Sequence, residues 1–295
     1  MVENQFQVIL IAPYDEYYNQ PSFRHLQTFI WKHCHPRSLN PIIELKSLWS
    51  LAILLFKIRP DYLLTFTIKA NIYGGLINFL IQSIHYPTIS GIGQLFIQPL
   101  YAIGLKKSKQ VLFQNYSDAI LFVKEKIINE KNIVILPGSG VNLETFKPTS
   151  KLTYPKTFLF ASRHPFEKGL NRIIEACKLL MESHPEYLVH FYGHPSKGYS
   201  NLPKNIKFKG FCNSMRSIYP QYCCFLYFSS YREGLPKVLL EALSSGTPIL
   251  LAGPSCDSRI LKSGYNGYKT PSVAPNDIHR LIIKWIENPE KKNNG

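Results

Sequence analysis

The sequence predicts an α/β protein with two Rossmann-like domains, each built on a parallel sheet. Apolar runs typical of buried strands alternate with segments of helical periodicity along the whole chain. This alternation occurs twice, on either side of a polar stretch that contains two prolines and has no periodicity. A chain of 295 residues is also long enough for two domains of ordinary size. We therefore expect one domain at 1–141, a linker at 142–156 and a second domain at 157–295, with a cleft between the domains.

Each predicted element follows from its own pattern, a short apolar run for a strand and a longer amphipathic segment for a helix. The predicted strands are 7–12, 61–66, 86–90, 110–114 and 132–136 in the first domain, and 157–161, 187–192, 206–210, 224–228 and 248–252 in the second. The predicted helices are 41–58, 71–83, 94–107 and 116–128 in the first domain, and 168–183, 214–221, 236–245, 257–263 and 276–288 in the second.

The charge balance narrows the class of partner. The chain has 34 basic and 19 acidic residues, a net charge of +15, and the excess is spread along the whole sequence. Such a surface suits nucleic acid, an anionic membrane or anionic substrates. Nucleic acid is the least favoured of the three, because the chain has no zinc-finger, RNP-type or helix-turn-helix signature. The six cysteines lack metal-type spacing and are predicted to be buried thiols in a reducing compartment.

The predicted location is the cytoplasm, with the inner face of the membrane as an option. The first residues lack the basic region of a signal peptide, and the longest apolar stretch, Leu48–Phe56, is too short to cross a bilayer. With Lys46, Lys57 and Arg59, this stretch could form a helix that lies in the membrane interface. It is apolar on nearly all sides, so burial in the core of the first domain is the alternative.

The segment 230–248 carries the most specific pattern in the chain. An apolar run at Cys224–Phe228 precedes it and another at Pro248–Ala252 follows it, as expected for two buried parallel strands. Pro236 suits the first position of a helix, and Gly246 suits the residue after its end. The segment is therefore predicted to place a turn and a helix N-terminus at the carboxyl end of a parallel sheet, where such folds bind ligands.

Two glutamates, Glu233 and Glu241, lie eight residues apart in this segment. A carboxylate can accept two hydrogen bonds from sugar or ribose hydroxyls. As an isolated pair, the two would be a solvated turn residue and an exposed helix residue. Upstream, Arg163 and Lys168 follow a predicted strand and could converge on an anion at a helix N-terminus.

This arrangement resembles the donor-binding signature of family-4 glycosyltransferases, which have the GT-B fold. The matching residues are Tyr231–Lys237, Leu240–Ala242 and Gly246–Pro248. The resemblance implies that Glu233 is catalytic and holds the transferred sugar, while Glu241 binds the ribose. It also implies nucleotide-sugar contacts from a wider set of residues, namely Arg163 and Lys168 at the diphosphate, Gly234, Leu235 and Lys237. His194 and Phe211 are candidates for the neighbourhood of the nucleobase, although either could be a packing residue.

The first domain resembles a bacterial subgroup of that family, which extends lipid-linked or capsular oligosaccharides. The matching runs are Thr65–Gly75, Thr88–Gly93 and Val134–Pro148. The acceptor-side candidates are Lys69, Asn71, Gly91 and Gly93, and the alternative is simple turn chemistry. Because Met1 falls just before the second strand of that pattern, we expect this domain to be shortened by a first strand and helix.

The resemblance implies a retaining glycosyltransferase that moves a hexose or N-acetylhexosamine from a UDP-sugar to a glycan or undecaprenyl-linked acceptor. No Asp-x-Asp motif stands at a predicted strand end and no histidine cluster has ligand spacing. We therefore expect a metal-independent enzyme without a cofactor, the UDP-sugar being its substrate. The alternatives are a catalytically inert nucleotide-sugar binder and a GT-B-fold UDP-sugar epimerase. The first half offers no convincing acid–base set for the epimerase.

Overall fold

The computed structural model consists of two compact units. It describes residues 6–14, 26–35, 38–91, 97–149, 152–163, 166, 168–194, 202–230, 234–254 and 260–288. The first unit contains 1–113 and 119–134, and the second contains 114–118 and 135–295. Besides 114–118, the second unit contains the chain from 135 onward, including the stretch 142–156 predicted as a linker. The reason is that the stretch after 135 packs on the second unit, where the Ser244 hydroxyl donates to the carbonyl oxygen of Phe146.

The first unit contains two strand arrangements, in which β1–β2, β3–β4 and β4–β5 pair in parallel, and the first helices. A parallel pair, β1 and β2, is separate from a four-stranded sheet of order β3-β4-β5-β6. The strands are β1 (Ile9–Ala12), β2 (Gln27–Ile30), β3 (Tyr62–Phe66), β4 (Ile84–Ile89), β5 (Val111–Phe113) and β6 (Ile133–Ile135). The helices are α1 (Pro41–Ile58), α2 (Ile68–Ile81), α3 (Gln98–Gly104) and α4 (Tyr116–Lys124), of which α4 runs across both units.

Helix α1 has the ends that its sequence predicts. The Asn40 side chain accepts hydrogen bonds from the amides of Ile42 and Ile43, and Pro41 occupies the first helical position, where a missing N–H has no cost. The helix ends at Arg59, whose left-handed backbone (φ 45°) lets its amide donate to the Leu55 carbonyl. These caps fix the two ends of α1.

A buried polar network holds β3, α2 and β4 together. The Thr65 hydroxyl donates to Asn71 Oδ1 (2.8 Å) and lies 2.9 Å from His85 Nε2. Since the hydroxyl has one proton, His85 Nε2–H donates to it and Nδ1 accepts from Ser108 (3.1 Å). The Asn71 amide donates to the Thr88 carbonyl. Burial lowers the pKa of His85 to about 4, so the ring is neutral at physiological pH.

The second unit is a six-stranded sheet, in which every neighbouring pair is parallel, in the order β12-β11-β10-β7-β8-β9. Its strands are β7 (Tyr154–Ala161), β8 (Leu188–Tyr192), β9 (Ile206–Gly210), β10 (Tyr222–Phe228), β11 (Ile249–Ala252) and β12 (Gly267–Thr270). Its helices are α5 (Leu170–Ser183), α6 (Lys237–Ser244) and α7 (Pro275–Ile286).

The structure differs from the expectations for this unit at three places. The helix predicted at 214–221 is replaced by two short 3-10 helices, Met215–Ser217 and Tyr219–Gln221, because Pro220 cannot donate the hydrogen bond that a continuous α-helix needs. Part of the helix predicted at 257–263 lies outside the described residues, and 260–263 are not helical. Strand β12 was not predicted, since its four residues are mostly polar.

The sheet of the second unit is buried on both faces. Along β10, Cys224, Leu226 and Phe228 face a cluster covered by α5 and α7. Phe225 and Tyr227 face the opposite cluster, which α6 covers. The central strands β7, β10 and β11 therefore contribute alternate side chains to two cores, as expected for a doubly covered parallel sheet. This arrangement fixes the carboxyl ends of the strands relative to one another.

We predict that stability falls as the pH drops below about 6.5 because of His85. The unfolded ring has its ordinary pKa of about 6.5, whereas the folded ring has a pKa of about 4, so acid protonates the unfolded chain first. The contribution of His85 to the free energy of unfolding is fully present above about pH 6.5. It decreases by about 3 kcal/mol as the pH falls toward 4. Urea titrations across this range measure it. His85→Gln should reduce the pH slope by about one proton, and an unchanged slope would contradict the assignment.

Candidate functional site

The strand order of the second unit reverses between β7 and β10. From β7 the chain proceeds to β8 and β9 on one side, then returns to β10 on the other side of β7 and continues to β11 and β12. In open parallel sheets, a crevice forms at the carboxyl end of such a switch point, because the helices leave in opposite directions. Helix α5 follows β7, and α6 follows β10. Both helix N-termini therefore lie at the carboxyl ends of these strands, an end of the sheet that we call the edge.

Glycines bring the strand ends at this edge close together. A side chain at Gly169, which has φ +91°, would overlap the carbonyl oxygen of Phe228 at the end of β10. A side chain at Gly193, after β8, would come within 2.6 Å of the Ser162 carbonyl after β7. Only glycine allows such an approach of backbone to backbone. The first turn of α5 is thereby held against the end of β10.

The two predicted diphosphate residues are at this switch point. Arg163 is exposed two residues after β7, and Lys168 is half-buried two residues before α5. The N-cap of α5 is Gly169, which has no side-chain cap hydrogen bond. The positive end of the helix and two cations thus share one end of the sheet, an arrangement suited to anions.

The N-terminus of α6 is formed by the predicted Gly-Leu-Pro segment. Gly234 and Leu235 are buried, and Pro236 is the N-cap without a side-chain cap hydrogen bond. Lys237 begins the helix and is exposed. Leu235 packs on Gly138, which has φ +66° and room for no side chain without displacing Leu235. No role was predicted for Gly138 from the sequence, although the Pro-Gly-Ser-Gly run that contains it indicates a tight turn.

Glu241 lies one turn further along α6 and is largely buried. The Tyr219 hydroxyl donates to Glu241 Oε2 (3.3 Å), and Lys237 Nζ lies 3.7 Å from Oε1. Burial raises the pKa of Glu241, and the interactions with Lys237 and Tyr219 offset part of that increase. Tyr219 is fully buried. Its contact with Glu241 was not predicted, because the two residues are 22 positions apart and no sequence motif links them. The Glu241 carboxylate therefore has Tyr219 and Lys237 as polar neighbours, one turn beyond the N-terminus of α6.

Two exposed rings stack at the end of β8 and β9. The rings of His194 and Phe211 have centroids 4.2 Å apart and planes 15° apart. The backbone of the preceding glycines joins them, since the Gly193 amide donates to the Gly210 carbonyl (3.0 Å). Phe211 is 47% exposed, which is unusual for a packing residue. The pair offers a flat aromatic surface at the same edge as Arg163.

The remaining predicted site residues have different surroundings. Lys69 Nζ donates to Glu44 Oε1 (2.7 Å) and to the carbonyls of His35 and Ser38, and Asn71 has no exposed surface. Both side chains are thus used within the first unit, and their predicted acceptor role stays a prediction. Gly91 is half-exposed after β4. Glu233 and Gly93 lie outside the described residues, so their roles stay predictions as well.

Within the described ranges, no group of three or more His, Cys, Asp or Glu could hold a metal ion. The expectation of metal-independent chemistry rests on the sequence and stays a prediction.

Comparisons with known proteins agree with the fold. The family model described as glycosyl transferases group 1 matches residues 142–294. The N,N'-diacetylbacillosaminyl-diphospho-undecaprenol alpha-1,3-N-acetylgalactosaminyltransferase of Campylobacter jejuni is 22% identical, over 98% of this chain and 84% of the relative. The UDP-Gal:alpha-D-GlcNAc-diphosphoundecaprenol alpha-1,3-galactosyltransferase of Escherichia coli is 23% identical, over 87% and 73%. The crystal structure of Anabaena Alr3699/HepE in complex with UDP and glucose superposes with a TM-score of 0.78 at 14% identity, over 99% of this chain and 87% of the HepE chain. The predicted GT-B fold is confirmed.

We predict that Gly169→Ala is more destabilising than Gly210→Ala. Both glycines have a left-handed backbone, φ +91° and +86°, but a side chain at Gly210 meets nothing within 4 Å. Gly210→Ala should cost about 1 kcal/mol, and Gly169→Ala about 3 kcal/mol, because its side chain also displaces the end of β10. Urea unfolding measures both. Equal losses would show that the Phe228 contact does not constrain this edge.

Proposed function

Because the chain belongs to the glycosyl transferases group 1 family, we propose that it transfers a hexose or N-acetylhexosamine from a UDP-sugar to a lipid-linked glycan. The product would belong to bacterial surface polysaccharide synthesis, and the enzyme would work in the cytoplasm at the inner face of the membrane. The Campylobacter and Escherichia relatives support this substrate class, since both names specify acceptors linked to undecaprenol by a diphosphate.

The observation that carries the proposal is the switch point between β7 and β10. It brings two helix N-termini without side-chain caps and two cations to one end of the sheet, and the largely buried Glu241 carboxylate lies one turn along the helix that begins there. A nucleoside diphosphate-sugar needs these groups, because its diphosphate is anionic and its ribose offers hydroxyls. The HepE structure, solved with UDP and glucose, has the same fold, which agrees with a donor site of this class.

Arg163 and Lys168 would neutralise the diphosphate. As the glycosidic bond breaks, negative charge increases on the departing UDP, and cations and helix amides stabilise that charge more than the ground state. Removal of one such donor typically lowers turnover by a factor of about 100 to 1,000. The partial burial of Lys168 strengthens its interaction with an anion relative to a fully solvated lysine.

Glu241 would accept hydrogen bonds from the ribose hydroxyls. The Tyr219 and Lys237 contacts hold its carboxylate in place before the ligand binds, so less conformational entropy is lost on binding. Glu233 would hold the hydroxyls of the transferred sugar next to the reacting carbon. His194 and Phe211 would stack on the uracil, whose π-face suits an exposed aromatic surface.

Retention of configuration follows from the same proposal. The Escherichia relative uses UDP-Gal, an α-linked donor, and its name specifies an α-1,3 product. A transfer from an α-linked donor to an α-linked product retains the anomeric configuration. We propose the same stereochemical outcome for this chain, without a metal ion.

We predict that Glu233→Ala reduces transfer at least about 100-fold, because the transferred sugar loses its main hydrogen-bond acceptor in the transition state. Transfer of labelled sugar to an undecaprenyl diphosphate-linked glycan measures this loss, and calorimetry with UDP should give unchanged affinity. Glu144→Ala, which removes a glutamate that is 85% exposed, is the matched control. Full activity of Glu233→Ala would contradict the assignment, and UDP binding by an unaltered protein without any turnover would favour the inert binder.

We predict that Phe211→Ala weakens UDP binding about 10-fold, since one base–aromatic stack contributes about 1–3 kcal/mol. Calorimetry should show the same loss for uridine monophosphate and none for pyrophosphate. Tyr265→Ala removes a comparably exposed ring that precedes β12, the outermost strand on the side of the sheet away from β9, and should leave UDP binding unchanged. Equal UDP affinity of the two variants would remove the base-stacking role.

A further inference from the structure

Helix α1 has a continuous apolar surface that the described residues leave about half exposed or more. Along its length, large apolar side chains recur at spacings of three, four, four and three residues, which places them on one side of a helix. Each has between 43% and 69% of its surface exposed. We call this surface the α1 stripe, and its members are Ile42, Leu45, Trp49, Ile53 and Phe56.

The opposite side of α1 is anchored in the core of the first unit. Leu51 and Leu55 are buried in a cluster with Trp31 of the preceding loop and Leu63 of β3. The indole N–H of Trp31 donates to the Ser47 carbonyl (2.9 Å) on this side. The helix therefore cannot rotate to bury the α1 stripe without exposing an equal apolar surface.

Basic side chains border the α1 stripe. Lys46 and Lys57 are exposed and each follows a member of the stripe, so both lie along the same border, and exposed Arg59 ends the helix. The helix has one acidic residue, Glu44, which is bound to Lys69 Nζ (2.7 Å) and to the Tyr73 hydroxyl (2.6 Å). The surface thus combines apolar side chains with a positive border and an overall charge of +15.

We propose that the α1 stripe docks on an anionic lipid bilayer, with the helix parallel to the membrane plane. An aromatic and aliphatic face enters the boundary between headgroups and acyl chains, and lysines pair with anionic headgroups, as in interfacial amphipathic helices. No helix in the described part of the chain is long and apolar enough to cross a membrane. This inference rests on the proposed function, since a lipid-linked acceptor is reached at a membrane surface.

Charge favours the bilayer over a second copy of the chain. If two stripes packed against each other, their lysine borders would approach one another, and α1 has no unengaged acidic side chain to pair with them. An anionic bilayer supplies the opposite charge along the whole helix. Self-association is therefore the competing outcome of the test.

Trp49 makes the stripe directly observable. The chain has three tryptophans, and Trp31 and Trp285 are 5% and 1% exposed, whereas Trp49 is 69% exposed. The full chain, without UDP-sugar or acceptor, is mixed with vesicles of phosphatidylcholine containing roughly 30% phosphatidylglycerol. We expect a blue shift of the emission and quenching by brominated acyl chains. Trp49→Phe should still co-sediment with the vesicles but lose the quenching.

Matched variants distinguish vesicle binding through the α1 stripe from nonspecific hydrophobic adsorption. The triple variant Leu45→Gln, Trp49→Gln, Ile53→Gln should reduce the partition coefficient at least about 10-fold. The control, Leu80→Gln, Ile120→Gln, Leu143→Gln, removes three similarly exposed aliphatic side chains and should not reduce it. Lys46→Gln with Lys57→Gln should weaken binding to anionic vesicles, while Lys106→Gln with Lys124→Gln should have a smaller effect.

The outcomes are distinct. Absence of vesicle binding, binding without a Trp49 response, or a concentration-dependent dimer that the triple variant abolishes would each overturn the proposal. Vesicle binding through Trp49 by a protein without transferase activity would support the docking surface and remove the proposed function. Transfer to a soluble acceptor analogue without vesicle binding would support the proposed function and overturn the docking surface.

Discussion

The close contact between Gly169 and the carbonyl oxygen of Phe228 is the constraint on which the second unit depends. Strands β7 and β10 are neighbours in the sheet, so the helix after β7 can start at the end of β10 only if no side chain separates them. The left-handed backbone of Gly169 turns the chain into α5 at this point. Lys168 is held at the switch point as a consequence. Gly193 repeats the principle one strand further, against Ser162, and positions His194. A row of backbone contacts, rather than side-chain packing, thus determines where the functional groups lie.

Local signals explain which elements could be predicted from sequence. The bounds of α1 follow from Asn40 and Pro41 at one end and from Arg59 at the other, all within hydrogen-bond reach of the helix. Strand β2 has no such signal, because its four residues include exposed Gln27 and it is recognisable only through its pairing with β1. The predicted helix at 214–221 failed because its apolar spacing resembled a helix, whereas Pro220 limits the chain to short 3-10 turns.

The same distinction applies to the site. The places of Arg163, Lys168 and Glu241 in the fold could be predicted, because each follows a strand that the sequence reveals, while their roles stay predictions. Tyr219 and Gly138 could not, because their contacts with Glu241 and Leu235 join distant parts of the chain. Asn71 has a structural role that the sequence did not indicate. Its Oδ1 accepts from the Thr65 hydroxyl and its amide nitrogen donates to the Thr88 carbonyl, while its predicted acceptor-side role stays a prediction.

Helix α1 shows why a composition argument alone leaves two hypotheses open. Its sequence is apolar on both sides, which fits equally a core helix and an interfacial helix. The structure resolves the ambiguity by dividing the helix lengthwise, since Leu51 and Leu55 enter the core while Trp49 and Ile53 remain exposed. A helix that only needed to fold would gain solubility from polar residues on its outer side. Apolar residues at every outer turn cost solubility without adding to the core, and this is the reason for proposing an apolar partner surface for the helix. The lysine border favours the proposed bilayer among apolar partners, because it is favourable beside anionic headgroups and unfavourable beside an identical helix.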